Sequence, residues 1–73
     1  MSEATKVDAR GLSCPEPIIL TKRAMRQEGV TNIEVLVDSG VSRDNVRRAA
    51  EMAGWTVQVG ELAGGEFRLD IAK

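Results

Sequence analysis

The 73-residue chain has no histidine, no tyrosine and a single cysteine, Cys14. Without histidine, a Cys-His dyad and a Ser-His-Asp triad are excluded, and a Cys/His zinc site cannot be assembled within one chain. A lone cysteine excludes an intramolecular disulfide, so any sulfur partner of Cys14 must come from another molecule. Aromatic residues are reduced to Trp55 and Phe67, which make no base-stacking platform. No excess of one charge sign exists either. Ten Lys and Arg stand against eleven Asp and Glu, for a formal net charge of −1, unlike the basic surplus of a nucleic-acid binder. No apolar run approaches the roughly 20 residues of a membrane-spanning helix. The segment Met1 to Lys6 lacks the charged-then-apolar layout of an export signal. The expectation is a cytoplasmic monomer with no membrane contact, no direct nucleic-acid contact, no metal and no cofactor. One domain over 1–73 is expected, with a core too small to enclose a large substrate, so its chemistry belongs at the surface.

The residues present read as short alternating elements. Thr5 to Ala9 is a strand candidate with Val7 and Ala9 on one face. Arg10-Gly11-Leu12-Ser13 is a loop, and Cys14-Pro15-Glu16-Pro17 opens a helix that runs towards Glu28 and stops at Gly29. Proline suits a first helical turn, where the N–H it lacks would have no partner inside the helix. Ile33, Val35 and Val37 alternate as a second strand. Ser42 is placed to cap a second helix, with Val46, Ala49, Ala50 and Ala53 as its buried stripe and Gly54 beyond its end. Trp55, Val57 and Val59 alternate as a third strand, and Phe67, Leu69 and Ile71 as a fourth after the Ala63-Gly64-Gly65 turn. The order β-α-β-α-β-β, with one apolar face on each of the last three strands and a first strand too short to show one, predicts an α+β fold. It is a two-layer α/β sandwich in which both helices cover one face of a mixed four-stranded sheet, with strand order 1-2-4-3.

Cys14 is the residue with most to say about function. At the start of a helix, in a loop at one end of the sheet, a thiol is biased towards the nucleophilic thiolate. The alternative is a buried structural cysteine, the common fate of a lone thiol. Around it, Asp8-Ala9-Arg10-Gly11-Leu12-Ser13-Cys14-Pro15-Glu16-Pro17 resembles the signature of the TusA/SirA/YedF family of small sulfur-carrier proteins. The likeness extends along nearly the whole chain. Val35-Leu36-Val37-Asp38, Asn45-Val46 and Gly54-Trp55 look closest to the YedF-like branch. One departure stands out: Asp38-Ser39-Gly40 occupies the loop where many members carry Asp-Pro or Asn-Pro.

The resemblance implies a sulfur carrier, a persulfide-relay sulfurtransferase that acts only with partner proteins. Cys14 would accept sulfur from a cysteine desulfurase-like or rhodanese-like donor and pass it to an acceptor sulfurtransferase. The destination stays open among tRNA thiolation, molybdenum cofactor, sulfur oxidation and selenium metabolism. The competing reading is a non-catalytic binding, regulatory or redox-sensing module linked to sulfur or selenium. The site-support residues are Asp8, Arg10, Gly11, Pro15, Glu16 and Pro17. Arg10 either stabilises a thiolate or pairs with Asp8. Gly11 gives the loop backbone freedom, Glu16 complements the helix dipole, and the two prolines set geometry. Ile19 points away from the apolar face of its helix and, with Lys22 and Arg23, forms a candidate partner contact. On the second helix, Asp44 to Arg48 and Arg47 to Glu51 have the spacing of surface ion pairs.

Overall fold

Strand residues that alternate apolar and polar can bury only one face of a sheet, and the structure follows that constraint. The computed structural model describes residues 5–12 and 15–73. The elements are β1 (Thr5–Asp8), α1 (Glu16–Arg26), β2 (Asn32–Val37), α2 (Gly40–Met52), β3 (Thr56–Glu61), a 3-10 turn at Ala63–Gly65, and β4 (Phe67–Ala72). The sheet order is β1-β2-β4-β3, as predicted. β1 runs parallel to β2, and β4 lies antiparallel between β2 and β3.

The register aligns the apolar positions in rows. Val7, Val35, Leu69 and Val59 form one row across the four strands, and Thr5, Ile33, Ile71 and Val57 form the next. Ile33, Val35, Val37, Leu69 and Ile71 are fully buried and meet Val46 and Ala50 of α2 and Ala24 of α1. The opposite face of the sheet is polar. There Lys6, Glu34, Asp70 and Gln58 occupy one row, and Arg68 pairs with Asp70 at 3.4 Å. No helix among the described residues is long and apolar enough to cross a membrane.

α1 buries Pro17, Thr21 and Ala24. The Thr21 hydroxyl donates to the Pro17 carbonyl at 2.8 Å, which satisfies the buried polar group. The helix ends at Arg26, earlier than Gly29 suggested. Gln27 is already extended, and a turn from Gln27 to Val30 places Gly29 at φ +79°.

α2 begins earlier than its sequence suggested. Ser39, not Ser42, is the cap, and its hydroxyl accepts from the Ser42 amide at 3.1 Å. This start leaves Ser42 buried one turn before Val46 and Ala50, and these three form the inner stripe. Ala53, expected in that stripe, is exposed. The far end closes as a Schellman motif: the Trp55 amide reaches the Ala50 carbonyl, the Gly54 amide reaches Glu51, and Gly54 has φ +89°. Trp55 is buried just ahead of β3. Asp44 pairs with its neighbour Arg43 at 3.0 Å rather than with Arg48. Ser39→Ala is expected to lower stability by about 1 kcal/mol, read as a shift in urea midpoint. A Ser42→Ala loss with Ser39→Ala neutral would reverse the assignment.

Candidate functional site at the carboxyl ends of the parallel strands

In a sheet with parallel strands, loops that leave the carboxyl ends are the usual place for function. Here β1 and β2 both exit at that end, α1 and α2 both begin there, and the β3–β4 turn lies beside them. Cys14 lies outside the described residues, but the segments on either side of it are described.

The approach to Cys14 is a tight turn. The Ala9 amide continues the ladder to the Leu36 carbonyl at 2.8 Å, and the Leu12 amide turns back to the Ala9 carbonyl at 3.4 Å. Gly11 sits in this turn at φ +76°, a conformation that a residue with a Cβ rarely adopts. Its amide donates to Asp38 Oδ2 at 2.7 Å. Beyond Cys14, Pro15 is the first residue described and caps α1 without a side-chain hydrogen bond. Neither Pro15 nor Pro17 has an N–H, so Glu16 and Ile18 supply the amides at this helix end. Glu16 is exposed in the first turn, where its charge suits the dipole.

Arg10 makes the pairing with Asp8 that its spacing offered. Its Nε and Nη2 donate to the two carboxylate oxygens of Asp8, both at 2.9 Å. Its Nη1 also meets Glu66 Oε1 at 3.4 Å. Two carboxylates already compensate the guanidinium, and its structural effect is to tie the loop to the β3–β4 turn. The side-chain hydrogen bond from Arg10, reinforced by the Arg10 backbone N–H, holds the Asp8 carboxyl at about 2, below its ordinary 3.8. Because the folded value is the lower one, the pairing stabilises the fold above the ordinary value and fades as pH falls towards about 2. An NMR titration should place the Asp8 midpoint near 2, and Arg10→Ala should return it towards the ordinary carboxylate range. An ordinary midpoint in the unmutated chain would contradict the pairing.

The structure therefore brings Asp8, Arg10 and Gly11 together, with Pro15, Glu16 and Pro17 at the helix start beyond Cys14. Ile19 is 47% exposed, and Lys22 and Arg23 are exposed farther along α1. Among the described residues, neither Lys22 nor Arg23 is ion-paired. The sequence marks Asp38 only as part of the Asp38-Ser39-Gly40 loop that departs from the family pattern, not as a partner of Gly11, and it does not single out Glu66. Asp38 and Glu66 lie 27 and 56 residues from their partners in the loop, and only the strand pairing brings them near. No group of metal-binding side chains occurs among the described residues.

The family model for sulfurtransferase TusA matches residues 5–73. The chain belongs to the TusA family. A relative from Methanocaldococcus jannaschii, provisionally named a sulfur carrier protein, is 37% identical over 70 residues, covering 93% of this chain and 92% of the relative. The crystal structure of a SirA-like protein from Desulfitobacterium hafniense superposes with a TM-score of 0.85 at 33% identity, covering 93% of this chain and 95% of that one. A TusA-family fold is thus shared almost end to end. These relatives speak to the family and not to its YedF-like branch.

Proposed function

We propose that this chain is a sulfur carrier and that Cys14 bears the sulfur. The observation that carries the reading is the TusA-family match over 5–73 in a chain whose only thiol lies inside the Cys-Pro-x-Pro motif. In the transfer step, the Cys14 thiolate attacks the terminal sulfur of a donor protein's persulfide. A new S–S bond forms at Cys14 as the donor's S–S bond breaks, and the donor cysteine leaves as a thiolate. The electron pair moves with that leaving thiolate, so no external oxidant or reductant is needed.

The chain itself contributes little beyond the thiol. The helix end supplies a positive dipole that favours the thiolate. With no second cysteine, the persulfide cannot discharge as an internal disulfide. With no histidine to serve as a base, proton handling falls to the partners, a cysteine desulfurase-like or rhodanese-like donor and an acceptor sulfurtransferase. Ile19, Lys22 and Arg23 offer such a partner an apolar spot flanked by positive charge, matched to an acidic surface. The reducing cytoplasm suits this chemistry, because it keeps the resting thiol free.

The test is intact mass after incubation with a cysteine desulfurase and cysteine, without reductant. The expected result is a gain of about 32 Da per sulfur that dithiothreitol removes. No gain with desulfurase, persulfide or thiosulfate donors would overturn the reading.

A further inference from the structure

The loop leading to Cys14 is held by a side chain from another element. Gly11 occupies a positive-φ turn and gives its amide to Asp38 Oδ2 at 2.7 Å. Asp38 is fixed in turn, because it directly follows β2 and precedes Ser39, the cap of α2. A short hydrogen bond from a backbone amide to a carboxylate is among the stronger polar contacts available to a surface loop. The second tie, Arg10 to Glu66, is longer at 3.4 Å and joins the ends of two long, partly exposed side chains. Of the two, the Asp38 bond is therefore the one able to set the path of the backbone. That path ends at Leu12, two residues before Cys14.

We infer that Asp38 is a positioning residue for sulfur transfer, acting through the Gly11 amide to present Cys14 to the partner protein's persulfide. This rests on the carrier reading. Two protein surfaces must bring one sulfur to within attack distance of another, and small misplacements of a reacting atom are costly in rate. A small reagent can approach from many directions and does not need the same presentation. Losing the tie should therefore separate two rates that a general fault would lower together.

The experiment compares the unmutated chain with Asp38→Ala and Asp38→Asn. Each is assayed for sulfur uptake from a persulfide-loaded cysteine desulfurase and for alkylation by iodoacetamide, on samples shown folded by circular dichroism. Asp38→Ala should slow protein-to-protein uptake about tenfold while alkylation stays within about twofold. Asp38→Asn keeps an acceptor oxygen and should recover most of the uptake. Uptake unchanged in Asp38→Ala overturns the inference. So does a parallel fall in alkylation, which would place Asp38 in control of thiol ionisation instead. Failure of Asp38→Asn to rescue would also overturn the hydrogen-bond argument. If the unmutated chain takes up no sulfur, the carrier reading falls and this inference falls with it, an outcome distinct from the other three.

Discussion

Leu69→Ala is expected to remove a large share of the stability of this domain. Leu69 is fully buried at the middle of β4, one of the two inner strands, between Val35 of β2 and Val59 of β3. Truncating a buried leucine costs about 2–5 kcal/mol, because the lost transfer energy is joined by the cavity left behind. A domain of this size has a total of roughly 4–11 kcal/mol to lose. The urea midpoint should drop by a molar unit or more, with m near about 1 kcal/mol/M. Ile19→Ala is the control. Ile19 is 47% exposed, and its truncation should stay within about 0.5 kcal/mol. Equal losses at the two positions would contradict the layer assignment.

Cys14→Ser should abolish sulfur uptake while leaving the fold intact. A hydroxyl is a poor nucleophile near neutral pH, and an S–S bond cannot form on oxygen, so the expected activity is zero and not merely reduced. The sheet, both helices and the buried cluster Ile33, Val35, Val37, Leu69 and Ile71 are built from other residues. Circular dichroism and the urea midpoint should therefore match those of the unmutated chain. Persistent uptake by Cys14→Ser would remove the carrier proposal, since no other thiol exists. Iodoacetamide labelling separates that proposal from a passive binding module. Rapid labelling fits a carrier or a sensor, whereas a slow thiol fits only the passive module.

The layers were legible because the strands alternate strictly. Ile33, Val35 and Val37, and then Phe67, Leu69 and Ile71, declare one inner face each, and the element order leaves few ways to cover it. Local competition was harder to read. Ser39 and Ser42 are both good caps, and the choice between them depends on which start aligns Ser42, Val46 and Ala50 with the sheet. α1 ends at Arg26 because the chain must enter the Gln27–Val30 turn, which a helical period does not reveal. At the candidate site, the motif made Cys14 and its loop visible. Asp38 was visible only as part of a loop that departs from the family pattern. Its bond to Gly11, and Glu66 altogether, were not, because the offset between β1 and β2 and the path of the last turn are properties of the folded sheet. Arg10 was legible as an alternative, and its pairing with Asp8 needed only a spacing of two residues.

The strand order carries a consequence for how the chain assembles. β4 is the last strand along the chain yet occupies an interior position, between β2 and β3. Until residues 67–72 are available, β3 has no strand to join, and one edge of β2 stays open. A nascent chain that has emerged only through β3 would display Ile33, Val35 and Val37 beside an unpaired backbone edge, an invitation to mispairing with other chains. Assembly is therefore gated by the arrival of β4, and the vulnerable interval ends when that strand slots in.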